Sequence, residues 1–300
     1  VIMMRSVVLM AVMSLFGCAG FYRGSLPDAP KDARYLDIGG VNIRYETAGR
    51  GSAVLLIHGY GSSLDIWKAD VVPRLAHRHK VVAIDLKGFG FSGRPPGDYT
   101  PAAQARIAWA VLDKLGIRDV ALVGHSWGAS VVLRMALQQP ARVRRIALYS
   151  AYVFEEQVPS FFLWARAGGI GEALFSLYYR ERVEERVALA YYNQTFITQA
   201  RIDRVERELA RPGAVAAALA TARGQRYAAV QRRYKTIKVP VLLLWGENDA
   251  VTPLPFGQRL YSLLPNARLK RYPGCGHLPM VEQASASTMD LARFLAEEPK

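Results

Sequence analysis

Five consecutive residues, Gly124-His125-Ser126-Trp127-Gly128, set a serine hydroxyl between two glycines, after an apolar run and before a helical pattern. A nucleophile on a sharp strand-to-helix turn needs this spacing, because side chains at the flanking positions would clash where the backbone is tight. The turn also aims the N–H groups of the helix start at the space above the hydroxyl, where negative charge can be accepted. A serine hydroxyl is a weak nucleophile at neutral pH and needs a base. Of the five histidines, His58 belongs to a His-Gly turn, and His77 and His79 fall in a charged stretch read as surface. His125 precedes Ser126 on the turn, so its ring is expected to point away from the hydroxyl. His277, in a glycine-rich loop, is left as the base. An imidazolium formed during attack needs a buried carboxylate to fix its tautomer. Asp249 follows an apolar run in a turn-forming context and is the candidate, with Glu247 in the same loop as its competitor. Asp85 is read as supporting its own glycine-rich turn.

Acyl transfer through such a serine also needs two preset donors for the oxyanion, each worth roughly 3 kcal/mol. The backbone N–H of Trp127 is expected to be one, and that of Tyr60 the other, with Gly61 as the alternative to Tyr60. Cys275, two residues before His277, is read as a small residue filling a tight turn.

These residues stand at the ends of a repeated signature. Apolar runs begin near Ala53, Lys80, Asp119, Arg144 and Val239 ("AVLLIHG", "KVVAIDLKG", "DVALVGHS", "RRIALYSA", "VPVLLLWG"), with helical patterns between them. "VNIRYETAG" alternates like a half-exposed strand. Short buried strands alternating with helices predict an α/β fold, with a mostly parallel central sheet and helices on both faces. Ligands of such sheets bind beyond the carboxyl ends of the strands, where the candidates lie. From about residue 152 to 235 the alternation stops and an aromatic-rich helical pattern takes over, which predicts an inserted helical cap. The expected division is an export signal over 1–18, a linker over 19–34, a core over 35–151 and 236–300, and a cap over 152–235.

In this order of motifs the sequence resembles the α/β-hydrolase family, over nearly all of the chain after about residue 35. "HGYGSS" resembles the family's oxyanion loop, "DLKGFGFS" its D-x-[RK]-G-x-G-x-S turn, "WGENDAVTP" the acid segment and "GCGHLPMVE" the histidine segment. Serine, aspartate and histidine also follow the family's order. Relatives that remove halide or open epoxides carry an aspartate at the turn, so Ser126 argues against both reactions. The resemblance implies hydrolysis of a carboxylic ester or thioester of a largely apolar small substrate, through an acyl-enzyme on Ser126. Carbon–carbon hydrolases of ring-cleavage products share this type of cap but usually show Asn-Ser-Met at the turn, where this chain has His125-Ser126-Trp127. An acyltransferase, or a membrane-tethered ligand-binding protein with a little-used triad, is the further alternative.

The rest of the composition narrows the field. The formal charge is +14, from 39 Lys and Arg against 25 Asp and Glu, but the two signs are interspersed, as in "RERVEER" and "RIDRVERELAR". No nucleic-acid module is recognisable, and no nucleic-acid partner is expected. Without H-x-x-x-H, C-x-x-C or a phosphate loop, neither metal nor cofactor is expected. Arg5, the apolar run Val7–Phe16 and then small residues have the layout of an export signal, too short to span a bilayer. "LFGC" resembles the lipobox of bacterial lipoproteins, with Phe16 departing from the usual residue, and implies lipidation at Cys18. The expected location is the bacterial cell envelope, lipid-anchored, the alternative being a secreted or periplasmic soluble form. Cys275 would then be the one remaining cysteine, so no intrachain disulfide is expected.

Overall fold

The computed structural model describes residues 20–297; the export-signal stretch and Cys18 lie outside them. Eight strands form one sheet in the order β1-β2-β4-β3-β5-β6-β7-β8. They are β1 (Arg34–Asp37), β2 (Asn42–Ala48), β3 (Ser52–Ile57), β4 (His79–Ile84), β5 (Val120–His125), β6 (Val143–Tyr149), β7 (Val241–Gly246) and β8 (Ala267–Tyr272). The β1–β2 and β2–β4 pairs are antiparallel and the remaining pairs parallel. The expected α/β architecture with a helical insertion is therefore present.

Alternation along the central strands explains why both faces are covered. Leu55 and Ile57 of β3 join one apolar cluster, with Leu122 of β5 and Leu148 of β6. Their neighbours Val54 and Leu56 join the cluster on the opposite face, with Val123 and Leu244. Successive side chains of a strand point to opposite faces, so a continuous apolar run is the mark of a strand buried on both. The helix Pro101–Lys114 begins where its pattern starts: Thr100 caps it by accepting from the Ala103 N–H at 3.2 Å, and Pro101 needs no donor in the first turn.

Two local expectations need correction, and one strand left no sequence signal. Arg34 falls in the expected linker but begins β1, an edge strand with mostly exposed side chains. Strand β8, "ARLKRY", carries no apolar run because it forms the other edge, where exposed Arg and Lys alternate and hinder pairing with further strands. His79 is not a surface residue: it starts β4, is buried, and its Nδ1 meets the Ser52 hydroxyl at 2.9 Å.

Between β6 and β7 every regular element is helical: Ser160–Trp164, Ile170–Tyr178, Val183–Ala190, Gln199–Ala210 and Ala214–Gly224, with short 3-10 turns. Phe175, Tyr179, Val187, Ile202, Leu209 and Leu219 give this region its own apolar centre. Strands β6 and β7 are neighbours in the sheet, so the chain leaves for the insertion and returns from it side by side.

Candidate active site

Ser126 follows β5 directly and precedes the helix Trp127–Gln138, with φ 51° and ψ −123°. Such a conformation costs a non-glycine residue about 1–3 kcal/mol and persists only when its surroundings enforce it. The Ser126 N–H donates to the Tyr149 carbonyl at 2.9 Å, while the Ser126 carbonyl accepts from Ala129 and Tyr152, both at 3.0 Å. A Cβ on Gly128 would lie 2.3 Å from the His58 carbonyl oxygen, and one on Gly124 would lie 2.9 Å from the Gly128 carbonyl oxygen. Gly128→Ala should therefore lower stability by about 1–3 kcal/mol or more, because backbone has to move. Thermal unfolding would check it, and an unchanged melting temperature would mean that the turn is looser than its geometry implies.

The loop after β3 closes on this turn. A Cβ on Gly59 would sit 3.0 Å from the His125 Nδ1 and 3.1 Å from the Ser126 Cβ, closer than ordinary van der Waals contact, so glycine eases the loop's approach. His58 is locked there, donating from Nδ1 to the Gly59 carbonyl at 2.7 Å and accepting the Leu86 N–H on Nε2 at 3.0 Å. Burial holds its pKa below the usual value, so it serves as a neutral strut. Among the described residues, neither the Tyr60 N–H nor the Trp127 N–H is engaged in a hydrogen bond. Asp85 supports the neighbouring turn as expected, accepting from Leu64 N–H and Phe91 N–H, both at 2.7 Å.

Asp249 and His277 meet although 28 residues separate them. The His277 Nδ1 lies 2.9 Å from Asp249 Oδ2 and 3.1 Å from Oδ1. An ionised carboxylate only accepts, so Nδ1 carries a proton, and in the neutral ring the lone pair is therefore on Nε2. Burial opposes the charge on Asp249, but the attraction and hydrogen bond of His277 and the donors of Thr252 outweigh it and hold its pKa below the usual range. Glu247, the competing acid, instead faces Arg271 at 3.7 Å.

Thr252 escaped the reading of the sequence, which weighed titratable groups only. Its hydroxyl donates to Asp249 Oδ2 at 2.8 Å, its N–H donates to Oδ1 at 2.7 Å, and its Oγ also lies 3.2 Å from His277 Nδ1. The available signal was a threonine three residues after an aspartate in a turn, a common hydroxyl-to-carboxylate pattern. Thr252→Val removes a hydrogen bond to a charged group, typically worth about 1.5–3 kcal/mol, and should slow turnover roughly tenfold or more. Steady-state kinetics on the folded variant would test this, and full activity would exclude a positioning role.

His277 is also held through its backbone. Its N–H donates to Ala190 of the insertion at 2.8 Å, and its carbonyl accepts from His125 Nε2 at 3.0 Å. The His125 ring lies 4.8 Å from the His277 ring, so it faces the histidine loop. Burial, then the nearby His277, pushes the His125 pKa down to about 3, so it stays neutral. Glu282, also unforeseen, joins the loop to the insertion by accepting from Gly276, Tyr192 and Asn193 N–H groups. Cys275 is fully buried and burial pushes its thiol pKa up, which suits a filler of the turn.

Aromatic rings surround the approach to Ser126. The Tyr60 ring contacts Phe162 at 5.3 Å, Phe89 at 5.5 Å, and Trp127 and Tyr179 at 6.5 Å. Its hydroxyl donates to the Ala218 carbonyl at 3.1 Å, tying the loop after β3 to the insertion. Of the insertion's rings, Phe154 and Phe175 are buried, whereas Trp164, Tyr178 and Tyr192 are exposed. Among the described residues there is no group of three or more metal-ligating side chains.

Ser126 thus stands on a strained turn, and Asp249 pairs with His277 in a loop packed against the preceding His125. The chain belongs to the alpha/beta hydrolase family, which it matches over residues 54–290. It is 30% identical over 280 residues to an uncharacterized protein of Mycobacterium tuberculosis, covering 89% of this chain and 82% of that one. It is 29% identical over 269 residues to the 2-hydroxy-6-oxo-2,4-heptadienoate hydrolase of Pseudomonas putida, covering 87% and 95%. Among solved structures, a variant of the meta-cleavage product hydrolase CumD is similar with a TM-score of 0.75 at 25% identity, covering 88% and 98%.

Proposed function

We propose that this chain is a serine hydrolase cleaving carboxylic esters, or thioesters, of a largely apolar small substrate. The observation that carries the reading is the Asp249–His277 pair, whose hydrogen bond leaves Nε2 as the basic nitrogen in the loop packed beside the Ser126 turn. In this mechanism Nε2 takes the Ser126 proton as Oγ attacks the acyl carbon. The tetrahedral oxyanion is held by the N–H groups of Tyr60 and Trp127, which are otherwise unengaged among the described residues. The imidazolium then protonates the leaving alcohol, and water, deprotonated by the same Nε2, releases the acid and restores Ser126. Asp249 stays ionised throughout and stabilises the imidazolium.

The relatives named as hydrolases of 2-hydroxy-6-oxo-dienoates favour a second reading, carbon–carbon bond hydrolysis with the same serine. The aromatic surroundings of Tyr60, Phe89, Trp127 and Phe162 and the His125-Ser126-Trp127 turn support the ester instead. A panel of aryl esters and thioesters of graded acyl length, beside a 2-hydroxy-6-oxo-dienoate, decides between them. The ester reading expects kcat/KM about a hundredfold higher for the best ester. The reverse order would replace it with carbon–carbon cleavage. The panel run with added alcohol reports acyl transfer to an acceptor other than water. The envelope location through a lipidated Cys18 is part of the same proposal, resting on "LFGC" and the preceding apolar run. Metabolic labelling with an alkyne fatty acid tests it, and label retained in Cys18→Ala would refute it.

A further inference from the structure

The first helical pair of the insertion is apolar on two sides. Its inner side packs Ala165, Phe175 and Tyr179 into the insertion's own centre, against Phe161 and Phe162. Its outer side exposes Leu163, Trp164, Ile170, Leu177 and Tyr178. From residue 159 to 179 the sequence has two charges, Arg166 and Glu172. Both are turned to ion-pair partners: Arg166 meets Glu155 at 2.9 Å, and Glu172 meets Arg223 at 2.7 Å. Five large apolar side chains left exposed on one short helical pair mark it as a candidate interaction surface.

The place where the chain enters the fold indicates the occupant. Phe21 stacks on Tyr99 at 5.7 Å, and the Tyr22 N–H donates to the Arg94 carbonyl at 3.0 Å. Tyr22 also abuts Gly213, on which a Cβ would lie 2.8 Å from the Tyr22 Cβ. Gly213 opens the helix Ala214–Gly224, whose Arg223 holds Glu172 of the apolar pair. Residues 20–22 therefore lie against the insertion. On the reading of Cys18 as lipidated, its acyl anchor begins only two positions before residue 20, at most about 7 Å of chain away. Trp164, Tyr178 and Tyr192 are of the residue types enriched at the headgroup level of bilayers, and the formal charge of +14 suits an anionic leaflet.

We propose that the outer face formed by Leu163, Trp164, Ile170, Leu177 and Tyr178 docks the protein on an anionic lipid bilayer. Docking there sets the insertion in the headgroup layer. The surface stands independently of the reaction assigned to Ser126, and its test is read without turnover.

Trp164 makes that test specific, because it is exposed while Trp67, Trp109, Trp127 and Trp245 are all buried. The full chain carrying Cys18→Ala, which has no acyl anchor, is mixed with phosphatidylcholine–phosphatidylglycerol vesicles brominated on their acyl chains. Bromine quenches only tryptophans that reach it, so emission should fall, and the loss should vanish in Trp164→Phe. Leu163→Ser/Ile170→Ser/Leu177→Ser in the same background should reduce vesicle co-sedimentation about tenfold or more, as expected for less apolar area entering lipid. Thermal unfolding and hydrolysis of a soluble ester verify that the triple variant is folded. Absence of quenching, or equal sedimentation of the two proteins, overturns the proposal and leaves binding to the N-terminal run. A concentration-dependent dimer abolished by the triple variant, without quenching, assigns the face to a second copy and overturns it equally.

Discussion

Ser126→Ala is expected to lower turnover of a small aryl ester by roughly 10⁴–10⁶-fold, the range seen when the nucleophile of such a unit is removed. Labelling by a fluorophosphonate probe should disappear with it. The fold should survive, because alanine keeps the Cβ and fits the same turn. The backbone at this position is strained, at φ 51°, and alanine does not relieve that strain. Glycine does, so Ser126→Gly should be equally inactive but melt about 1–2 °C higher, as a gain of about 1 kcal/mol implies at this chain length. Inactive Ser126→Ala with Ser126→Gly at or below wild-type stability would separate chemistry from strain and remove the latter from the account. Retained activity in Ser126→Ala would remove the serine mechanism itself.

The second large effect is expected at Asp249. Asparagine is nearly isosteric but its amide group can donate to Nδ1, which fixes the wrong tautomer and turns the Nε2 lone pair into an N–H. The expected loss in kcat is roughly 10⁴-fold with KM little changed. Thr252, which donates from both its N–H and its hydroxyl to the Asp249 carboxylate, cannot restore the carboxylate's role. A linkage effect accompanies it. The folded-state pKa of Asp249 lies below its ordinary value of 3.8, so the folded protein binds the proton less readily than the unfolded chain. Its contribution to stability is complete above that ordinary value and is lost as the pH falls through the lower folded value. The acid limb of the melting temperature should therefore be shallower in Asp249→Asn. Identical acid limbs would show that the pair does not favour the charged carboxylate.

What could be read in advance follows from which interactions are local. The turn at Ser126 was legible because glycines at 124 and 128 answer to steric demands a few residues away. The central strands were legible because burial on both faces requires apolar residues in succession. Edge strands face water and carry Arg, Lys and Tyr, so β1 and β8 left no comparable trace. At the site, the meeting of Asp249 and His277 could be anticipated from their strand-end positions. His125 and Glu282 could not, because their partners are set by packing between distant segments. Thr252 instead bonds an aspartate only three positions away, and left a local pattern that a search confined to titratable groups passes over. Glu282 binds backbone N–H groups of the insertion and of the histidine loop together, and backbone groups have no residue type that could announce the contact.

The side-by-side departure and return of the chain at β6 and β7 has an evolutionary consequence. Two adjacent strands sit only about 5 Å apart, so a segment of almost any length can be hung between their ends without stretching the sheet. Exchange or elongation of that pendant is thus decoupled from the scaffold, and selectivity can diverge among descendants while the reacting groups stay fixed in place. The exceptions are the tethers that run back from it, among them those at Ala190, Tyr192, Asn193, Glu208, Arg211 and Ala218, and any graft has to reproduce them.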